Sequence, residues 1–191
     1  MCAAGLASLA YFYYDFREDQ KKERRGLLAS LLIQLCRQSD AYCAVLSDLY
    51  SAYDSGTQRA SDSELQQCLF RMLKLQGQAP TYIVIDGLDE CPVTSSLPSP
   101  REGALDIVEE LVNLRLPDLR ICVASRPDTD IELVLLPLAF HSVSLHDESG
   151  HFHDIAEYVK SAVYGDRVMR RWREADKELV TKVLTEKADG M

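Results

Sequence analysis

Long apolar runs are missing from this sequence of 191 residues. No stretch approaches the roughly 18 consecutive apolar residues that a membrane-spanning helix requires, so the sequence predicts no membrane segment. The opening MCAAGLASLA lacks a basic start, and its apolar stretch soon meets Asp15 and Arg17. A secretory signal peptide is therefore not expected.

Cysteine pairs with the spacing of a metal or redox site are also missing. None of the six cysteines forms a CxxC motif, and several lie within apolar runs. We interpret them as small buried hydrophobic residues, which argues against a disulfide framework and against a zinc site. Unpaired cysteines are typical of a reducing compartment, so we expect a cytoplasmic protein. The six are Cys2, Cys36, Cys43, Cys68, Cys91 and Cys122.

The sequence has no excess of positive charge. It contains 21 Lys and Arg against 30 Asp and Glu, which gives a net charge of −9. General nucleic-acid binding needs many Lys and Arg side chains to replace the counterions of the phosphates, so we predict no nucleic-acid partner. A local cluster of Arg167, Arg170, Arg171 and Arg173 fits a solvated helix face.

Several catalytic signatures lack the residues that would complete them. His151 and His153 flank Phe152, but no further metal ligands can be identified for them, so we interpret them as exposed histidines at a helix start. Ser125 and Ser144 lack the G-x-S-x-G context of a hydrolase nucleophile. Cys91 has no obvious histidine base and is predicted to be a packed thiol.

The sequence does contain alternating strand and helix patterns. The aromatic-rich residues 7–16 favour a buried strand, and Leu27, Leu28, Leu31, Leu32 and Leu35 follow at the spacing of one apolar helix face. The pairs Ser61 with Glu64 and Ser99 with Glu102 are spaced as capping boxes at helix starts. Further strands are predicted at residues 82–85, 120–124 and 141–145, and helices at 40–52, 61–73, 99–112 and from about 151 onward.

Strands that alternate with helices and lack tight hairpin signals predict parallel pairing. We therefore predict an α/β fold whose parallel sheet is covered by helices on both faces. The last part of the chain is predicted to be a helical segment without strands.

The stretch IVIDGLDE, residues 83–90, carries the strongest chemical signal. Asp86 ends a predicted strand, where a carboxylate can bind Mg²⁺ directly or through water, and Gly87 lets the backbone turn and leaves room for phosphate. Asp89 and Glu90 follow at distances suited to orienting or deprotonating an attacking water. The alternative interpretation is a buried strand with solvated acids at its exit.

Arg126 ends the next predicted strand, in ICVASRPD. Parallel neighbours bring their carboxyl ends together, so we expect this guanidinium near Asp86. A guanidinium stays ionised and forks onto phosphate oxygens, so it can stabilise phosphate charge. A surface Arg before a proline turn is the alternative.

Together, IVIDGLDEC and ICVASRPD resemble the NACHT family of signal-transduction NTPases, in its nephrocystin-three-like branch. AYFYYDF, LLASLLIQL and EKADGM are also similar to that branch, so the resemblance extends over almost the entire chain. It implies a sheet like that of P-loop NTPases, with Mg²⁺ and ATP or GTP as cofactors. Asp86 and Gly87 would then be cofactor-binding, with Asp86 serving Mg²⁺. Asp89 and Glu90 would be catalytic acids of the Walker B motif, and Arg126 would be a sensor.

The resemblance further implies a nucleotide-dependent molecular switch that self-associates. Its protein partners and its specificity would come from adjoining repeats or effector domains. A non-catalytic interaction module that keeps the acids as an inherited scaffold is the alternative function.

One element of that family is missing from the sequence. A phosphate-binding loop needs G-x-x-x-x-G-K-[ST], because its backbone N–H groups cradle phosphate and its Lys neutralises the charge. None of the nine glycines is followed by Lys, and only about ten residues precede AYFYYDF, where the resemblance places this loop. We expect the loop and the first core strand to be missing, as in a slice of a larger protein or a truncated product.

The domain organisation follows from that expectation. Residues 1–147 are predicted to form a partial nucleotide-binding α/β domain that begins at the second core strand, and residues 148–191 to begin a truncated helical extension. The family places the missing strand between the last strand and the one that precedes Arg126, so two unpaired sheet edges are expected. We therefore expect the chain alone to be marginally stable and to bind nucleotide weakly or not at all.

Overall fold

The computed structural model describes residues 6–15, 17, 23–53, 58–95, 98–144 and 149–187. The chain divides into two compact units, Met1–Ala139 and Phe140–Met191. The first unit contains strands β1 (Ser8–Tyr13), β2 (Thr81–Asp86) and β3 (Leu119–Val123), with helices α1 (Arg24–Cys36), α2 (Asp40–Ala52), α3 (Asp62–Leu73), α4 (Pro100–Asn113) and α5 (Thr129–Leu135). The second contains α6 (Ser149–Gly165) and α7 (Glu174–Lys187).

The three strands form one parallel sheet in the order β1-β2-β3. Ser8 is opposite Thr81, and Thr81 is opposite Leu119, so the strands start level with one another. The predicted parallel pairing is confirmed, as are the strands expected near residues 7–16, 82–85 and 120–124.

The core of the first unit lies between α1 and one face of the sheet. The strand β1 alternates buried and exposed residues, and its buried Ala10 and Phe12 join Ile83 and Ile85 of β2. All five leucines predicted to form the apolar face of α1 are buried. Helices α3 and α4 complete the core with Leu69, Met72, Ile107 and Leu111.

Both predicted capping boxes are present at helix starts. The Ser61 hydroxyl accepts a hydrogen bond from the Glu64 N–H, and the Glu64 carboxylate accepts one from the Ser61 N–H at 2.7 Å. Ser99 and Glu102 repeat this arrangement at the start of α4. Each box satisfies backbone donors that a helix start leaves without partners.

The prediction that helices cover both faces of the sheet is wrong for the part of the chain that the structure describes. On the second face, the exposed fraction is 37 to 54% for Leu9, Tyr11, Tyr13 and Tyr82. The cause is topological. The sheet grows in one direction, from β1 through β2 to β3. Parallel connections are right-handed, so successive crossovers in one direction place their helices on the same face.

The free edge of β1 is closed by two glutamine side chains, Gln34 of α1 and Gln38, which follows the end of α1. The Tyr11 N–H donates to Gln34 Oε1 at 3.1 Å, and Gln34 Nε2 donates to Tyr11 O at 2.7 Å. Gln38 repeats the pattern on Leu9, with distances of 2.9 and 2.7 Å. A carboxamide offers an N–H donor beside a C=O acceptor, as a peptide group does, so these side chains replace the neighbour strand that this edge lacks in the described chain.

The strand predicted at residues 141–145 is not formed. Residues 141–144 have no regular structure, Val143 is 71% exposed, and Leu145 lies outside the described residues. A strand depends on a neighbour for its ladder of backbone hydrogen bonds, and the described sheet ends at β3. Of the two predicted open edges, the described chain therefore shows the one at β3.

The second unit is helical, as predicted. Helices α6 and α7 contact each other, and Tyr164 of α6 donates a hydrogen bond to Glu174 of α7. The predicted arginine cluster is solvated, and it lies between α6 and α7, with Arg170 and Arg171 in a short 3-10 helix, Met169–Arg171. Within the described residues, no helix is long and apolar enough to cross a membrane.

Replacement of Gln34 or Gln38 by Leu should destabilise the first unit and open the edge of β1. We expect each change to lower the free energy of unfolding by about 1 to 3 kcal/mol, because each removes two hydrogen bonds to the strand. Urea unfolding measures this, and light scattering reports association through the opened edge. Gln67→Leu is the matched control, since Gln67 is exposed on α3. Equal midpoints for all three variants would contradict the edge-closing role.

Candidate functional site

The carboxyl ends of the three strands lie along one edge of the sheet. Tyr13 is opposite Asp86, and Ile85 is opposite Val123. Two segments that leave this edge carry the predicted site residues, and we name them the acid loop (residues 87–91) and the arginine loop (residues 124–128). The structure thus brings the two predicted motifs together at neighbouring strand ends.

Asp86 is the last residue of β2, and its side chain is exposed. Its backbone carbonyl accepts the Tyr14 N–H at 2.9 Å, which extends the pairing of β1 and β2. Among the described residues, its carboxylate makes no hydrogen bond or ion pair. A hard carboxylate oxygen without a protein partner fits Mg²⁺, which is held in nucleotide sites by one or two carboxylates, water and phosphate.

Gly87 turns the chain sharply out of β2. Its φ angle is +67°, in the left-handed region that other residues rarely adopt. A Cβ atom at this position would lie 3.2 Å from the Tyr14 carbonyl oxygen. The turn leads directly into a short 3-10 helix, Leu88–Glu90, which carries both predicted catalytic acids.

Asp89 connects the acid loop to the arginine loop. Its Oδ1 accepts the Arg126 backbone N–H at 3.0 Å, and its Oδ2 lies 3.5 Å from Arg126 Nε. The Asp89 side chain is only 13% exposed, whereas the Arg126 side chain is 76% exposed. Asp89 therefore fixes the position of the arginine loop, while most of the Arg126 guanidinium remains accessible to an anion.

Glu90 closes the short helix of the acid loop. Its N–H donates to the Gly87 carbonyl at 2.8 Å, and its side chain packs close to Gly87. The side chain is half-buried, so it lies at the border between the loop and solvent. This places an acid beside the turn that follows Asp86.

Arg101, the second residue of α4, binds the backbone of the acid loop. It was not predicted as a site residue from the sequence. Its side chain is 11% exposed, and it donates to the carbonyls of Asp89 and Cys91 and to the carboxylates of Asp128 and Asp130. Burial alone would lower the pKa of Arg101, but the hydrogen bonds to the two carboxylates outweigh burial and raise the pKa. One sequence signal could have identified Arg101: it is a positive charge at a helix N-terminus, where the helix dipole disfavours positive charge.

Tyr14 and Cys91, the last residue of the acid loop, are buried neighbours. Both side chains are at most 3% exposed, which confirms the predicted packed thiol. Burial raises the pKa of Cys91 to about 11, although nearby Arg101 lowers it in part. Burial, and then the neighbouring Cys91, raise the pKa of Tyr14, whose hydroxyl has no hydrogen-bond partner within the described residues. Neither group is suited to proton transfer near neutral pH.

No group of three or more His, Cys, Asp or Glu side chains that could hold a metal ion occurs in the described segments. A cation at this edge would therefore rely on Asp86, with water and a ligand supplying its other contacts. His153 lies on α6, where it is exposed and approaches Glu157 at 3.7 Å.

Comparison with known families identifies the segment that carries this edge. The sequence model of the family described as Nephrocystin 3, N-terminal matches residues 2–126, about two thirds of the chain. The chain belongs to this family. The nephrocystin 3 N-terminal match includes all three strands and extends to Arg126, so every predicted site residue lies within it. No curated protein and no solved structure matches the chain.

Substitution of Gly87 by Ala should destabilise the first unit more than substitution of Gly77 by Ala. Both glycines have positive φ, so both changes cost about 1 kcal/mol of backbone strain. Only Gly87 has a backbone oxygen within 3.2 Å of the added Cβ, whereas nothing lies within 4 Å at Gly77. Urea unfolding separates the two contributions. Equal destabilisation would show that the close approach of the Tyr14 carbonyl oxygen is unimportant.

Proposed function

We propose that this chain forms the metal- and water-handling side of a NACHT-like signalling switch that acts with ATP or GTP. One observation carries the proposal: Asp86, the two acids of the acid loop and Arg126 are placed at the carboxyl ends of adjacent parallel strands. Ligands of open parallel sheets bind at such ends. Family membership supports the proposal, because the match includes each of these residues.

Each residue has a role that its surroundings permit. Asp86 would hold Mg²⁺ with its carboxylate, which has no partner in the described part of the chain, and the ion, when bound, would neutralise charge on the phosphates. Asp89 or Glu90 would orient the attacking water. The exposed guanidinium of Arg126 would contact the γ-phosphate, and the bond from its N–H to Asp89 would link that contact to the acid loop.

These residues do not supply a phosphate-binding loop. None of the nine glycines is followed by Lys, so no G-x-x-x-x-G-K-[ST] loop is encoded in the 191 residues. We therefore propose that the chain alone binds nucleotide weakly or not at all. Signalling by a longer protein would involve protein partners or self-association through flanking domains, in the cytoplasm.

A specific observation favours the alternative, a non-catalytic interaction module. The Asp89 carboxylate is largely buried and already bonded to the arginine loop, so it serves the fold without any ligand. Acids that are retained to stabilise the fold would form a structural scaffold without a catalytic role. The DNA immediately upstream discriminates between the two functions, since an exon that encodes GKS or GKT supports the switch and its absence supports the module.

Titration of the purified chain with Mg-ATP and with Mg-GTP should give no binding at micromolar concentrations. The reason is that the backbone donors and the Lys of a phosphate loop supply most of the contacts to the β- and γ-phosphates. Isothermal calorimetry measures this directly, and a sample without Mg²⁺ is the control. A dissociation constant in the micromolar range would contradict the missing phosphate-binding loop.

A longer protein in which G-x-x-x-x-G-K-[ST] precedes this sequence should lose hydrolysis when either acid of the acid loop is neutralised. We expect Asp89→Asn or Glu90→Gln to slow turnover by roughly 10²-fold or more while nucleotide binding is kept, because a general base is lost. Asp86→Ala should in addition weaken Mg²⁺-dependent binding. Phosphate release and calorimetry are the measurements. If turnover equals that of the wild type in all three variants, the assigned roles are wrong.

A further inference from the structure

A closed ring of hydrogen bonds joins the acid loop, the arginine loop and the start of α4. The Arg126 N–H donates to Asp89 Oδ1 at 3.0 Å, and the Asp128 N–H donates to Arg126 O at 2.9 Å. Arg101 then donates to Asp128 Oδ2 at 2.8 Å and to Asp89 O at 2.5 Å. The ring therefore passes through both predicted motifs, and Arg101 is the member that closes it.

Two residues of this ring, Asp128 and Arg101, depart from the usual preference of their positions in a helix. Asp128 occupies the N-cap position of α5, where a carboxylate ordinarily accepts a backbone N–H, yet it makes no such bond and turns to Arg101. Arg101 occupies the second position of α4, where the helix dipole disfavours positive charge. Departures from local preference that converge on one contact are typical of functional sites.

A guanidinium is suited to this position because of its geometry. Arg101 uses Nε, Nη1 and Nη2 at once, and it reaches two backbone carbonyls of the acid loop and the carboxylates of Asp128 and Asp130 near the start of α5. An ammonium group has three donors on a single nitrogen and cannot span acceptors that lie on two loops. Arg101→Lys therefore keeps the charge and removes the bridge.

We propose that Arg101 is the positioning residue of the site, and that its ring holds Asp89 and Arg126 in one fixed arrangement. Asp128 links the arginine loop and the start of α5 to Arg101, so the ring couples the two loops. Its role in the action on a nucleotide rests on the proposed function. The coupling of the loops does not, because it is a property of the chain without ligand.

Cys91 is a built-in reporter of this coupling. It is the last residue of the acid loop, fully buried, and its carbonyl accepts Arg101 Nε at 3.0 Å. Loss of the nearby positive charge alone would make the Cys91 thiolate less stable and slow its alkylation. Opening of the loop would instead expose the thiol and speed its alkylation. The sign of the change therefore distinguishes a lost charge from a lost bridge.

The test is the rate of iodoacetamide labelling at Cys91 in the full chain, followed by mass spectrometry. We expect Arg101→Lys, Arg101→Gln and Asp128→Ala to speed labelling by about tenfold or more, the factor expected for loss of one charge-assisted hydrogen bond. Glu132→Ala is the matched control, because it removes an exposed carboxylate from the first turn of α5 that lies outside the ring, and it should change the rate little. Labelling of Cys68, buried in α3, should stay slow in every variant.

Three outcomes would overturn the proposal. They are unchanged or slower labelling of Cys91 in the Arg101 variants, equal effects of Asp128→Ala and Glu132→Ala, and parallel acceleration at Cys68, which would indicate general unfolding. Wild-type labelling with and without Mg-ATP addresses the proposed function separately. A nucleotide without effect there counts against the nucleotide site and leaves the Arg101 result standing.

Discussion

The parallel pairing of β2 with both of its neighbours is the constraint on which the rest of the structure depends. It sets the three strand ends level, so that the segments after them leave from one edge. The pairing continues beyond the strands, since Tyr14 N–H donates to Asp86 O and Ala124 N–H donates to Ile85 O. The acid loop and the arginine loop are therefore attached to a rigid support before any of their side chains make contact.

The direction in which the sheet grows has a second consequence. Every connecting helix of the described sheet lies on one face, and the core is built there from the leucines of α1 and the apolar residues of α3 and α4. The opposite face keeps its tyrosines in solvent, and the outer side of β3 has no neighbour strand in the described chain. By contrast, the edge of β1 is closed by glutamines. The same three strands thus present one protected edge and one open edge.

Local patterns predicted much of this architecture. The three strands of the sheet, the apolar face of α1 and both capping boxes depend on residues close together in the sequence, and each is confirmed. The one-sided covering, the glutamine contacts on β1 and the ring through Arg101 depend on residues far apart, so no local pattern indicates them. The strand expected at residues 141–145 shows the same limit, because strand propensity alone cannot supply a partner for the backbone.

The positions of the candidate site residues were predicted better than the contacts among them. The expectation that Arg126 lies near Asp86 followed from the general rule for parallel strand ends, and β2, which ends at Asp86, is the neighbour of β3, which precedes Arg126. The sequence did not reveal that Asp89 is engaged by Arg126 or that Arg101 and Asp128 support both loops. These contacts make the edge a preorganised arrangement, which is the property that a site for a highly charged ligand requires.

The central claim, that this edge is the cation side of a nucleotide site, is tested most directly by titration of the isotope-labelled chain with Mn²⁺ as a paramagnetic substitute for Mg²⁺. The account predicts that backbone amide signals of residues 86–90 and of Arg126 broaden first, and that Asp86→Ala removes this selectivity. The chain carries a net charge of −9, so weak and uniform broadening over its acidic surface is the competing outcome. That outcome, unchanged by Asp86→Ala, would contradict the claim.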